Sequence, residues 1–415
     1  LSASVAKLHA TCAMSGVRCV FGKHRKSDFT SAEVVIQNPA VPRESPFLVH
    51  AEKAGAMIEN EATLFFRYCK SKNIIGVTGT RGKSTTAAMI ARILRQHFEM
   101  SKYRHINVWF AGNIRTTPML SIVDRIRPDD WVVLELSSWH LENMGEHKIS
   151  PHIAVVTNVL DDHMNRYRTK RAYAAAKENI VRYQRAGDIA VLNNKNVWTK
   201  AMAKTTNAKV HWFDYRDRVS VIQRPGLRKF GAHDVANAQA AATTARAVGV
   251  PLRIIRSALC TFRGLPDRQE IIGIIRGVTY VNDTTATTPD ATIAALQRFA
   301  KPEARGQKRP CIVLICGGTD KNLNYKPLIP WIKKTCKAVV LLPGSATEKI
   351  KKYLNISVSQ YPFAEVGSMR DALAAATKQA SHGDVILLSP AAASFGLFQH
   401  EFDRGNQFKK YVPTH

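Results

Sequence analysis

The stretch Ile74-Ile75-Gly76-Val77-Thr78-Gly79-Thr80-Arg81-Gly82-Lys83-Ser84-Thr85-Thr86 decides how the chain is read. A short apolar run meets a Gly-rich loop that ends in Lys-Ser. Met89, Ile90, Ile93, Leu94 and Phe98 follow at helical spacing. Strand, loop and helix N-terminus together make a phosphate cradle. Glycine lets backbone N–H groups approach phosphate oxygens, and the helix end adds partial positive charge. The loop residues Gly79, Thr80, Gly82, Lys83, Ser84 and Thr85 are therefore the expected ATP contacts. Lys83 would reach the β- and γ-phosphates, and the Ser84 hydroxyl would ligate Mg²⁺.

Outward from this loop, apolar strands alternate with helical patterns. Strands are expected at 74–78, 131–136, 153–159, 188–193, 278–282, 311–316, 338–342 and 384–388. Helices are expected at 61–70, 290–300 and 368–381. The rhythm predicts an α/β fold with mostly parallel sheets, whose ligands gather at strand carboxyl ends. Two seams, before Ile74 and at Gly264-Leu265-Pro266, predict three domains: 1–72, 73–264 and 265–415.

Composition narrows the function classes. The chain has 415 residues, too many for one ordinary domain, and 45% of them are hydrophobic. No apolar run approaches the ~20 residues that span a bilayer, so no membrane insertion is expected. The seven cysteines are scattered without a CxxC pair, which argues against a zinc site or a disulfide framework and favours the cytoplasm. The formal charge of +28 is spread along the chain rather than gathered in a stripe with aromatics. It reads as a basic surface that attracts polyanionic small molecules, and argues against dedicated nucleic-acid binding.

Further polar residues sit at strand ends. Glu135 closes the run Trp131-Val132-Val133-Leu134-Glu135-Leu136-Ser137-Ser138 and is a candidate Mg²⁺ ligand beside the loop. Thr157-Asn158-Val159-Leu160-Asp161-Asp162-His163-Met164 offers His163 as a second metal ligand.

From His163 onward the sequence resembles a known family. Asp161-Asp162-His163-Met164-Asn165-Arg166-Tyr167, with Tyr173-Ala174-Ala175-Ala176-Lys177, is similar to the Mur ligases, which use ATP to join amino acids to peptidoglycan precursors. The resemblance implies a three-domain architecture: an N-terminal Rossmann-like domain, a central P-loop ATPase domain and a C-terminal Rossmann-like domain. It also implies two Mg²⁺ ions, and a carbamylated Lys177 that holds the second with His163. From the residues alone, Lys177 would be a surface helix lysine.

The resemblance continues along most of the chain. Gly231-Ala232-His233-Asp234-Val235-Ala236-Asn237 resembles the family element whose last Asn, Asn237, faces the nucleotide. Gly264-Leu265-Pro266-Asp267-Arg268 resembles the opening of the third domain, where Arg268 would reach the phosphates. Asn282-Asp283-Thr284-Thr285-Ala286-Thr287 resembles the motif whose Asp283 contacts the ribose. Cys316-Gly317-Gly318-Thr319-Asp320-Lys321 and Leu388-Ser389-Pro390-Ala391-Ala392-Ala393-Ser394 resemble the D-glutamate-adding branch, as does Phe402-Asp403-Arg404-Gly405-Asn406. The branch's substrates are UDP-N-acetylmuramoyl-L-alanine and D-glutamate. Asn113, Ser137, Thr287, Lys321, Ser394 and Phe402 would bind them.

Glu401 stands where an aromatic is expected. It is predicted to face solvent, with Phe402 or Phe395 supplying the apolar wall. Val34-Val35-Ile36-Gln37-Asn38-Pro39-Ala40-Val41-Pro42 resembles the second half of the UDP-binding domain, so that domain is expected in truncated form. A monomer is expected. The competing readings are a related ligase with another acceptor, such as a different Mur enzyme or a folylpolyglutamate synthase, and a basic P-loop ATPase that binds nucleic acid.

Overall fold

The computed structural model describes residues 19–38, 41–114, 117–160, 164–214, 232–262, 264–300, 311–355 and 362–413. The chain is mixed α/β and divides into two compact units. The first comprises Leu1–Asp214 and Gln239–Val250, the second Tyr215–Ala238 and Pro251–His415.

In the first unit, β1 (Val34–Ile36) and β2 (Met57–Glu59) form a small parallel sheet. Leu48, Ala51, Ala56 and Ile58 make its core. Asn60 and Thr63 exchange side-chain and backbone bonds, which starts the helix Glu61–Tyr68.

The main sheet then runs through β3 (Asn73–Thr78), β4 (Val108–Gly112), β5 (Trp131–Glu135), β6 (Ile153–Val156), β7 (Ile189–Asn193) and β8 (Lys209–Phe213). Its order is β4-β5-β3-β6-β7-β8, and every pair is parallel. Its central strands are buried on both faces, which is why they read as continuous apolar runs rather than as alternation. β3 lies between β5 and β6, so the Gly-rich loop emerges between Glu135 on one side and Thr157-Asn158 on the other.

The second unit is built on β9 (Glu270–Ile275), β10 (Val278–Asn282), β11 (Ile312–Gly317), β12 (Cys336–Leu342), β13 (Phe363–Glu365) and β14 (Val385–Leu388). The order is β13-β12-β11-β14-β10-β9, parallel except for the β9–β10 pair. The helices Pro289–Phe299 and Met369–Gln379 fall where helical spacing placed them. The eight expected strands are all present within a few residues. β1, β2, β4, β8, β9 and β13 come in addition. Among the described residues no helix is long and apolar enough to cross a membrane.

Candidate functional site

The site in the first unit is organised by the loop after β3. Gly79 has φ +149°, and a Cβ there would lie 1.9 Å from the Thr157 hydroxyl, so only glycine fits. The end of β6 ties the loop down. Thr80 N donates to the Asn158 carbonyl at 2.9 Å, and Arg81 N donates to Asn158 Oδ1 at 3.0 Å. Thr157 Oγ1 donates to the Arg81 carbonyl at 2.6 Å, and Leu160 N donates to Thr80 Oγ1 at 2.8 Å. The helix Lys83–Glu99 starts at Gly82 with no side-chain cap, so its first N–H groups point into the loop as an anion site. Lys83 Nζ folds back to the Thr80 carbonyl at 3.1 Å, and Ser84 is buried beside it.

Glu135 ends β5 in register with Val77. It is buried, and its Oε2 has no hydrogen-bond partner. A desolvated carboxylate oxygen left unmatched is costly, and a cation is the group that would satisfy it. A carboxylate oxygen, joined by a hydroxyl such as that of Ser84, is the kind of donor set that suits Mg²⁺. Among the described residues no three His, Cys, Asp or Glu side chains cluster as a metal site. His163 lies outside the described residues.

Lys177 is not a surface lysine. It is 1% exposed on the helix Lys170–Arg182, and its Nζ donates to the Gly79 carbonyl at 3.0 Å. The same amine sits 4.5 Å from the Tyr173 ring centroid. The sequence therefore underestimated this residue, which touches the phosphate loop itself. Ser137 caps the helix Ser138–Glu146, its Oγ accepting from His140 N at 3.2 Å. Asn113 is exposed just after β4, and its N–H donates to the Glu135 carbonyl at 3.0 Å. Asn237 is buried in the helix Ala232–Ala247.

The second unit assembles its own group at the carboxyl ends of β10, β14 and β11, which are neighbours in the sheet. Lys321 Nζ donates to Thr287 Oγ1 at 3.1 Å. The Lys321 loop and the Ser394 loop are joined by a reciprocal pair: Thr319 N to the Ala393 carbonyl and Ala393 N to the Thr319 carbonyl, each 3.0 Å. Thr319 Oγ1 also donates to the Phe395 carbonyl at 2.7 Å. Ser394 itself is buried. Thr319 is the residue sequence reasoning missed here; its place between Gly318 and Lys321 was the available signal.

Phe395 is 64% exposed. Glu401 is partly exposed, and its carbonyl accepts from Thr284 Oγ1 at 2.6 Å in the turn after β10. Its charge acts on the buried Arg404 guanidinium. Phe402 is half-buried, edge-on to His400 at 5.9 Å.

Asp283 is buried, accepting from Ser389 Oγ at 2.8 Å and from Gln269 N at 3.1 Å. Arg268, two residues before β9, is exposed. Burial pushes the Asp283 carboxyl up to about 7, against the opposing effect of the Ser389 hydrogen bond. The folded pKa thus exceeds the unfolded one, and the native state binds more protons between them. The stabilisation is present below about pH 4 and is lost as pH rises through about 7. Asp283→Asn should flatten that decline in denaturation midpoints measured from pH 4 to 8. Equal slopes in the two proteins would contradict the assignment.

Comparison with known proteins agrees with this geometry. The model of the Mur ligase middle domain matches residues 77–245, and that of the Mur ligase glutamate ligase domain matches residues 267–392. A UDP-N-acetylmuramoylalanine–D-glutamate ligase of Roseiflexus sp. is 40% identical over 427 aligned residues, covering 96% of this chain and 88% of the relative. One of Clostridium kluyveri is 34% identical over 416 aligned residues, covering 95% and 86%. Among solved structures, UDP-N-acetylmuramate-alanine ligase MurC of Thermotoga maritima has the same fold, with a TM-score of 0.61 at 20% identity. That likeness covers 97% of this chain and 90% of the other.

Proposed function

The chain belongs to the Mur ligase family, and from that premise we propose that it joins D-glutamate to UDP-N-acetylmuramoyl-L-alanine at the expense of ATP. It is an ATP-dependent, ADP-forming amide ligase of peptidoglycan precursor synthesis. The muramoyl-alanine carboxylate attacks the γ-phosphate to give an acyl phosphate and ADP. The amine of D-glutamate then attacks the acyl carbon, and phosphate leaves.

The observation that carries the acceptor assignment is the joined pair of loops in the second unit. The cation of Lys321 and the hydroxyl of Ser394 lie on loops bonded to each other, at adjacent strand ends. A dicarboxylic amino acid suits a site with a cation for one carboxylate and a hydroxyl for the other. Phe402 would flank it. Thr287 orients Lys321 through its hydroxyl.

In the first unit, residues 79–85 would cradle the phosphates, with Lys83 drawing charge from the transferring group. Ser84 and Glu135 would hold one Mg²⁺ and His163 with carbamylated Lys177 a second, the ions offsetting phosphoryl charge. Asn237, Arg268 and Asp283 would hold the nucleotide, and Asn113 and Ser137 the UDP-linked substrate. We keep the three-part division 1–72, 73–264 and 265–415, with a UDP-binding part, the ATP-binding centre and the amino-acid-binding part. Both family matches fall inside the latter two. We place the enzyme in the cytoplasm, where its nucleotide substrates are made, and as a monomer.

Lys321→Ala tests the acceptor. It should raise the KM for D-glutamate by about a hundredfold, the scale of a lost charge-assisted contact, with the KM for ATP nearly unchanged. Unaltered D-glutamate kinetics, or a preference for a neutral or basic amino acid, would overturn D-glutamate as acceptor.

A further inference from the structure

The helix Glu401–Tyr411 bears on the second unit's site through residues that no substrate assignment uses. Arg404 is fully buried. Its Nε donates to Thr284 Oγ1 at 3.0 Å, Nη2 to the Thr284 carbonyl at 2.7 Å, and Nη1 to the Ala392 carbonyl at 3.3 Å. All three acceptors are neutral oxygens. A desolvated cation with no hydrogen-bonded carboxylate is an expensive way to fill a core. Burial accordingly lowers its pKa to about 10. What the guanidinium contributes is geometry: a rigid planar fork that fixes two segments at once. One segment is the turn after β10, which holds Asp283 and Thr287. The other is the loop after β14, which holds Ser394.

The next residue, Gly405, brings the helix backbone against the same turn. A Cβ there would lie 2.6 Å from the Thr284 methyl, 2.9 Å from Asp267 Oδ1 and 3.2 Å from Asn282 Nδ2. Thr284 is fully buried and has no room to yield. Further along, Lys409 Nζ reaches Asp267 Oδ1 at 3.0 Å and Glu270 Oε2 at 3.2 Å. Asn282 Nδ2 donates to the same Asp267 oxygen at 2.9 Å. Asp267 holds φ +65°, a left-handed conformation that needs such support, immediately before Arg268.

We infer that this helix is a brace that registers the nucleotide-facing segments 267–268 and 282–284 against the amino-acid-facing loop 390–394, with Arg404 and Lys409 as positioning residues. The inference rests on the ligase reading above. Its two cations have separable effects. Lys409 touches only the Asp267 side, so it acts on ATP alone. Arg404 touches both segments, so it acts on ATP and D-glutamate together.

The test uses the full chain with Lys409→Met, Arg404→Lys and Gly405→Ala. Kinetics are measured in all three substrates, and AMP-PNP affinity is measured by calorimetry without acceptor. Lys409→Met should raise the KM for ATP and the Kd for AMP-PNP about tenfold, leaving the KM for D-glutamate within about twofold. Arg404→Lys should raise the KM for both ATP and D-glutamate about tenfold, with the UDP-substrate KM unchanged. Gly405→Ala should follow Arg404→Lys.

A merely structural role would lower kcat through loss of folded enzyme while every KM stayed put, and that pattern would overturn the proposal. If Arg404→Lys fails to fold, the partly exposed Lys409 decides it. If the wild type binds AMP-PNP but forms no D-glutamyl product, the acceptor reading fails. The Lys409→Met Kd still judges the brace: a tenfold rise upholds it and an unchanged value overturns it.

Discussion

Lys83→Ala is expected to abolish ATP-dependent ligation in a protein that remains folded. Lys83 is the first residue of the helix Lys83–Glu99, and its amine makes a 3.1 Å bond to the Thr80 carbonyl. That bond is a small part of what fixes the loop, which Thr157 and Asn158 hold through several backbone contacts. Truncation should therefore cost roughly 1 kcal/mol of stability or less. The cation's other task is to meet charge that moves onto the β–γ bridging oxygen as the phosphoryl group transfers. Electrostatic groups in that position are worth about 10³-fold or more in rate, or ~4 kcal/mol. Thermal melting and steady-state phosphate release on the same preparation check both halves. Undiminished product formation by the folded variant would remove the loop from the chemistry.

The second large effect is expected at Lys177. A lysine buried to 1% exposure against the Gly79 carbonyl has no need of charge for solubility. Carbamylation requires the neutral amine: the ammonium first gives up a proton, and Nζ then bonds to the carbon of CO₂ with loss of a second. It leaves one N–H, which can keep the bond to Gly79, and adds a carboxylate. Lys177→Ala should lower kcat about 10³-fold, the scale of other groups that meet phosphoryl charge. Formate or acetate should restore part of it by supplying the missing carboxylate. Density for a bare ammonium in a crystal supplied with Mg²⁺ and bicarbonate would count against the carbamate, as would a variant that keeps full rate.

Much of this was legible in the sequence because parallel strands, buried on both faces, stand out as apolar runs with polar residues at their ends. β3, β5 and β6 could be read in this way, and with them Lys83, Glu135 and the Thr157-Asn158 corner. β8 was not, since Lys209-Val210-His211-Trp212-Phe213 is an edge strand with polar positions in alternation. β4, Val108-Trp109-Phe110-Ala111-Gly112, runs straight into Ala-Gly, which reads as the start of a turn.

The burial of Lys177 was missed because charge was read before position. It lies four residues after Tyr173 and three before Ile180, on the buried face of its helix. Arg404 has the same character, four residues before the buried Phe408. A basic residue on an apolar helical face is a signal for such sites. The bond between the Lys321 and Ser394 loops is a long-range contact that no local pattern encodes. The resemblance supplied their roles, and the sheet order supplies their adjacency.

The most direct measurement is phosphate release from ATP, quantified beside the mass of the amide product, with UDP-N-acetylmuramoyl-L-alanine and D-glutamate supplied together and singly. One phosphate per UDP-N-acetylmuramoyl-L-alanyl-D-glutamate, and background release when either substrate or ATP is omitted or a polynucleotide is substituted, is the predicted result. Phosphate release that ignores D-glutamate, or a product mass carrying a different amino acid, would contradict it.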